Sequence, residues 1–307
     1  MIMQRDISQP TLPGSPERPD SGPLYQNFTS QAGIDAQYDV ENSVPDFGIY
    51  VDFFLENSAR VREKLSPKLD VLFGPTVVEH LDIYPAKTPD APIHMFIHGG
   101  YWHSLSSKEF SFVAEGLVAA GITVVVNNYA LCPDVTITEI VRQNRAAIAW
   151  LYRNALTFGA DQNRIFVSGH SAGGHLTAML LSTDWAGAYG LPTDLVKGGT
   201  SISGLFELAP FFHSWLQPKL QLTPKEIALN SPINHLPTEA SPLIVTLGGD
   251  ESEEFHRQSD AYLTAWKEKG LAGEYLDLPG RNHFTVLEDY LDPDSPLCQA
   301  IIRQMSV

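Results

Sequence analysis

RIFVSGHSAGGHL, residues 164–176, is the stretch on which the reading of this chain turns. An apolar, β-branched run ends in Gly169-His170-Ser171-Ala172-Gly173, and a helix-forming stretch follows at once. Gly-x-Ser-x-Gly at a strand-to-helix junction is the signature of a nucleophile elbow. Such a turn holds the serine in a strained backbone conformation, and the flanking glycines let neighbouring main chain pass where a Cβ would clash. The five-letter string alone is weak, and its place between a buried strand and a helix makes it strong. Ser171 is therefore the candidate nucleophile.

Working outward, the same strand–helix rhythm extends in both directions. Short β-branched runs predict strands at 78–84, 93–97, 122–127, 164–168, 198–203, 243–247 and 274–278. Helical spacing predicts helices at 51–64, 107–120, 136–158, 175–184, 254–269 and 298–305. Strand, helix and strand in this alternation imply right-handed crossovers and a mostly parallel sheet covered on both faces. The runs HMFIHGG, ITVVVNN and PLIVTLGG read as buried strands ending in Gly or Asn. Ligands of open α/β sheets bind at such carboxyl tips. Residues 205–242, rich in Pro, Phe and Trp, break the rhythm and read as an insertion over that edge, a cap shared with the N-terminal region. Residues 1–23 carry five prolines and read as a tail or arm, leaving 24–307 as one α/β domain.

A serine hydroxyl needs a base to take its proton, and the base needs an orienting carboxylate. In this architecture they follow in the order Ser, Asp or Glu, His. His283, in the loop PGRNHF after a strand, is the expected base, and His256 reads as a helix-surface residue. Asp250 directly follows the strand 243–247 and its Gly248-Gly249 turn, and is the expected carboxylate. Glu254 is its main rival, while Glu251 and Glu253 read as the acidic start of a solvated helix. A tetrahedral intermediate also needs donors for its oxyanion. The stretch His98-Gly99-Gly100-Tyr101-Trp102 exposes backbone N–H groups beside the elbow, so Gly99, Gly100 and Ala172 are the expected oxyanion residues. Tyr101 and Trp102 follow directly and are expected to border substrate, with core packing as the rival reading. His170 and His175 read as packed, hydrogen-bonded histidines.

Composition removes other classes. The chain has 307 residues, 43% apolar with 15 Phe, 11 Tyr and 5 Trp, enough for a sizeable core. Its 36 acids against 20 bases leave −16, a field that repels phosphate backbones and anionic lipid. Nucleic acid and membrane are therefore poor partners. No apolar run is long enough to span a bilayer, and the first ten residues lack the pattern of a signal peptide. Two cysteines, Cys132 and Cys298, give neither a disulfide framework nor zinc spacing. No metal and no cofactor are expected, and the location expected is cytoplasmic. The expected partner is a small-molecule substrate, aromatic in character, with a homodimer left open.

Residues 24–305 resemble the α/β-hydrolase superfamily, in the branch near hormone-sensitive-lipase-like esterases, and within it the arylformamidases (kynurenine formamidases). The resemblance is carried by His-Gly-Gly-Tyr-Trp at 98–102, GHSAGGHL with His170 before the serine, DESEEFHRQS at 250–259 and NHFTVLE at 282–288. It implies an α/β-hydrolase fold, Ser171, Asp250 and His283 as triad, and Gly99, Gly100 and Ala172 around the oxyanion. It implies a serine hydrolase acting on a small aryl formamide such as N-formylkynurenine, a step of tryptophan catabolism. A carboxylesterase for short-chain or aryl esters is the alternative on the same triad. A catalytically silent binding protein of the same fold is the alternative of another class.

Overall fold

Seven short runs of β-branched residues cannot each bury two faces alone, and the chain solves this by laying them side by side. The computed structural model describes residues 22–306. The arm expected at 1–23 lies outside them except for its last two residues. Eight strands form one sheet: β1 (Lys68–Leu72), β2 (His80–Tyr84), β3 (Ala91–Ile97), β4 (Thr123–Asn127), β5 (Ala160–His170), β6 (Val196–Ile202), β7 (Leu243–Gly248) and β8 (Gly273–Leu278). Their order is β1-β2-β4-β3-β5-β6-β7-β8. Strands β3 to β8 pair in parallel, while β2 runs antiparallel to both β1 and β4. With helices on both faces, this is the α/β-hydrolase architecture expected from the sequence.

The central strands are apolar on both sides because both sides are covered. Along β3, Met95 and Ile97 face one core while Phe96 faces the other; along β4, Val125 faces the first core and Val124 and Val126 the second. The first core takes helices Ile137–Asn154, Ala172–Leu181 and Glu253–Glu268; the second takes Gly48–Leu65, Ala114–Ala119 and Pro296–Met305. The helix expected at 107–120 is two pieces, a 3₁₀ turn Ser107–Val113 closed by a Ser106–Glu109 capping box and the helix Ala114–Ala119.

The first turn of helix Ala172–Leu181 fits against the sheet only because of its glycines. A Cβ on Gly173 would run into the carbonyl oxygen of Ile97 and, at 2.8 Å, that of His98. This brings the elbow beside the tip of β3.

Helix Gln31–Tyr38 escaped the sequence reading, as did edge strand Lys68–Leu72, the short helix Trp185–Tyr189 and the 3₁₀ turn Thr285–Leu291. The first is part of the cap. Residues 205–242 form short helical turns that bury Leu205, Phe206, Leu208, Phe211, Leu216, Leu220 and Leu222. They join the N-terminal segment through Trp215 N–H, which donates to the Asp35 carboxylate at 2.9 Å, and through Tyr25 O–H to Glu207 at 2.5 Å. Arg257 ties both to helix Glu253–Glu268: it pairs with Glu207 at 3.1 Å and donates to the Tyr25 hydroxyl at 2.5 Å, while Glu254, one turn earlier, accepts from it at 2.8 Å. Among the described residues, no helix is long and apolar enough to cross a membrane.

Candidate active site

Ser171 stands at the tip of β5 with φ 57° and ψ −117°, a conformation that a non-glycine residue adopts only when its surroundings impose it. The imposing contact is its own N–H, which donates to the carbonyl of Ile202 at the tip of β6 at 2.8 Å. Helix Ala172–Leu181 starts at the next residue, so the N–H of Ala172 has no acceptor within the helix and lies at its positive end.

His283 follows β8, and its ring is boxed by His170, Phe255 and Phe284, with centroids 4.5, 4.9 and 5.6 Å away. His170 does not compete as a base. Its Nε2–H donates to the His283 carbonyl at 2.8 Å, and burial with His283 nearby holds its pKa well below the ordinary value. His175 is likewise neutral, pushed down to about 4 by burial, with Nε2–H donating to the Asn230 carbonyl at 2.6 Å.

The carboxylate expected at Asp250 is displaced by one residue. His283 Nδ1–H donates to Glu251 Oε2 at 2.6 Å, and the other Glu251 oxygen accepts Gly248 N–H at 2.7 Å and Ser203 O–H at 2.6 Å. The Glu251 side chain is 2% exposed, whereas Asp250 is an exposed residue. The reason is the turn. Asp250 N–H is bound to the Arg281 carbonyl and Glu251 N–H to that of Gly248, so the chain doubles back and presents position 251, not 250, to the histidine. Glu254, the rival, is committed to Tyr38 O–H at 2.9 Å and to Arg257. Because a carboxylate only accepts, the bond fixes the proton of His283 on Nδ1 and leaves Nε2 with its lone pair.

The loop after β3 is set by Tyr129. Its hydroxyl donates between the His98 carbonyl at 2.8 Å and the Gly99 carbonyl at 3.2 Å, and His98 Nδ1–H adds a bond to the latter at 2.8 Å. In a trans peptide the N–H points opposite its C=O. The N–H groups of Gly99 and Gly100, on these same two planes, therefore point away from Tyr129. Gly99 abuts Ser171, since a Cβ built there would fall 3.1 Å from Ser171 Cβ. Gly100 has φ +96°, and a Cβ there would meet the Ser104 carbonyl.

Gly99, Gly100, Tyr101, Ser171 and His283 open on one cavity of ≈350 Å³. Its other walls include Phe47, Phe54, Phe110, Phe284 and Trp215. Tyr101 borders it, with its hydroxyl donating to the Tyr38 carbonyl at 2.6 Å. Trp102 does not, which corrects the expectation that it borders substrate. Its ring is fully buried between Phe211 and His175, and Nε1–H donates to His175 Nδ1 at 3.2 Å. Both residues have positive φ, 46° and 58°, and the turn that sends Tyr101 to the cavity sends Trp102 into the core. Elsewhere, Asp70, His80 and Asp82 bring potential metal-ligand atoms together, but Lys108 Nζ stands 2.7 Å from both carboxylates and already pairs with them.

A strained serine at the tip of β5 and a carboxylate-bound histidine opening on the same cavity define a serine hydrolase of the α/β-hydrolase fold. The BD-FAE family model matches residues 81–187, which carry β2 to β5 and the elbow. The kynurenine formamidase of Salmo salar is 32% identical over 265 residues, covering 83% of this chain and 88% of that protein. Esterase LipQ of Mycobacterium tuberculosis is 28% identical over 238 residues, covering 70% of this chain and 56% of that protein. The solved esterase of Pyrobaculum calidifontis superposes with a TM-score of 0.66 at 19% identity, covering 91% of this chain and 99% of that one. The chain belongs to the kynurenine formamidase family.

The burial of Trp102 makes a specific forecast. Trp102→Ala should destabilise the protein by ~3–5 kcal/mol, as other large-to-small core changes do, and strip His175 Nδ1 of its donor. Melting temperature and kcat/KM on one aryl and one aliphatic ester check this. A lowered melting temperature with similar losses on both esters is expected; a loss confined to the aryl ester at unchanged stability would return Trp102 to the pocket.

Proposed function

We propose that this protein hydrolyses a small aryl formamide of the N-formylkynurenine kind, with Ser171, His283 and Glu251 as its triad. The observation that carries the chemistry is the 2.6 Å pair between His283 Nδ1 and Glu251, beside the strained Ser171 and on the same cavity. The formamide assignment is supported by the likeness to kynurenine formamidases and by the aromatic walls, which suit an aryl leaving group. Such a reaction belongs to tryptophan catabolism.

Ser171 Oγ attacks the formyl carbon while His283 Nε2 takes its proton, and the carbonyl electrons move onto oxygen. The N–H groups of Ala172, Gly99 and Gly100 receive that oxyanion, with Tyr129 holding the last two in direction. Preorganised donors of this kind are worth several kcal/mol, because they need no reorientation as charge develops. The C–N bond then breaks, and His283 returns its proton to the departing aryl amine. Water, deprotonated by the same nitrogen, attacks the formyl ester and releases formate and Ser171. Glu251 keeps Nδ1 protonated and stabilises the imidazolium formed in each half.

A carboxylesterase would use the same steps, and the likeness to esterase LipQ favours it as the second reading. The measurement that separates them is kcat/KM for an aryl formamide against the matched aryl acetate. The formamide should win by about tenfold or more, a preference of ~1.4 kcal/mol in the transition state. An acetate preferred by that margin would make the protein an esterase.

The identity of the carboxylate has its own test. Glu251→Gln should lower kcat by ~10⁴, as loss of the orienting carboxylate does in other triads. Asp250→Asn should stay within about twofold of wild type, as suits a surface change. Steady-state kinetics on both variants decide it, and the reverse pattern would restore Asp250 to the triad.

A further inference from the structure

One nitrogen on the wall of the active-site cavity is without a partner. The imidazole of His170 lines that cavity together with Ser171 and Gly99, and the residue is only 4% exposed. Its Nε2–H is spent on the His283 carbonyl at 2.8 Å. A carbonyl only accepts, so this bond fixes the ring proton on Nε2, and in the neutral ring it leaves Nδ1 as a bare lone pair. Burial, with His283 nearby, keeps the ring neutral. Nδ1 takes no hydrogen bond among the described residues. It lies 3.3 Å from the point where a Cβ on Gly99 would stand, and Ser171 Cβ lies 3.1 Å from the same point. On its other flank, the His170 ring is 4.5 Å from the ring of His283. Other polar side chains of the wall are engaged. Tyr101 O–H donates to the Tyr38 carbonyl, Ser104 O–H to the Gly100 carbonyl, and Glu109 accepts from Ser106.

A desolvated acceptor is costly until a donor reaches it. A formamide supplies a donor at its scissile nitrogen, and the matching ester does not. As Ser171 Oγ adds to the formyl carbon, the amide nitrogen loses its conjugation and becomes pyramidal. Its lone pair must turn toward His283 Nε2 to receive the proton on which C–N cleavage depends, and its N–H then turns away from that nitrogen. We infer that His170 Nδ1 accepts the scissile N–H of the substrate in this step and so holds the leaving nitrogen with its lone pair toward His283. His170 itself gains and loses no proton. This rests on the formamidase reading of the cavity and gives that reading a residue that tells amide from ester. An ester oxygen leaves Nδ1 unpaired, and sites built to pair a substrate N–H discriminate against analogues that lack it.

The test compares formanilide with phenyl formate and acetanilide with phenyl acetate, pairs that differ only in N–H against O. His170→Gln keeps an N–H in the place of Nε2 and has no acceptor in the place of Nδ1; His170→Asn keeps an acceptor near Nδ1 and loses the reach to the His283 carbonyl. His170→Gln should lower the anilide-to-ester ratio of kcat/KM by about tenfold, mostly through kcat, as loss of one hydrogen bond made in the transition state does. His170→Asn should keep that ratio within about threefold of wild type. A ratio unchanged in folded His170→Gln, or lost only in His170→Asn, would overturn the inference and leave His170 a brace for the His283 loop. Melting temperatures show whether the variants are folded, and wild type gives an arm that needs neither. N-methylformanilide, which has no N–H, should be cleaved about tenfold more slowly than formanilide or worse, and equal rates would overturn the inference. The outcomes keep the two readings apart. Esters preferred by wild type, with a ratio that still falls in His170→Gln, would sink the formamidase reading and keep the role of His170. Anilides preferred equally by wild type and His170→Gln would do the opposite, and a wild type inert to both anilides would remove both.

Discussion

A single buried carboxylate holds the working edge of this molecule together. Glu251 accepts bonds from the end of β7 through Gly248, from the residue after β6 through Ser203, and from the loop after β8 through His283. Three strand tips that are far apart along the chain thus share one charge. A buried carboxylate without partners would be costly, and its three donors are what make the position tenable. Ser203 accepts strain to serve it, with φ 50° and its N–H bound to the Thr246 carbonyl at 2.8 Å. The imidazole is oriented by the same contact that secures the edge of the sheet, so the fold and the proposed chemistry depend on one group.

The other half of the edge is organised by tyrosines. Tyr129 fixes the two peptide planes after β3, and Tyr101 reaches across to the Tyr38 carbonyl in the cap. Tyr38 in turn donates to Glu254 and accepts from Gln258 on helix Glu253–Glu268. The N-terminal helix is thereby bonded to the loop beside Ser171 and to the helix that follows Glu251. The cap is part of the frame around the cavity, which explains why a segment outside the sheet supplies Glu41 to its rim.

The sequence revealed what is local or periodic. The elbow at Ser171 was legible because its glycines, serine and flanking elements are consecutive, and the strands because both of their faces are apolar. His283 was legible from chain order and its place after a strand. Glu251 was not, because residue types cannot tell which of two adjacent acids a tight turn will point inward. That choice is made by hydrogen bonds to Arg281 and Gly248, which exist only after folding. Trp102 failed for the same reason, since one residue of phase separates cavity from core. Tyr129 gave no signal, because its role is to bind carbonyls. The eight-residue helix Gln31–Tyr38 escaped notice because only Ile34 and Tyr38 are buried, too few to make a pattern.

The central claim is that Ser171 is the nucleophile of this hydrolase, and covalent labelling tests it most directly. The protein is treated with a fluorophosphonate, its residual activity is followed, and the adduct is located by intact-mass and peptide-mapping mass spectrometry. The account predicts one adduct per chain, on Ser171, formed in proportion to the activity lost. Inactivation with the adduct on another residue, or full activity retained under excess reagent, would contradict it.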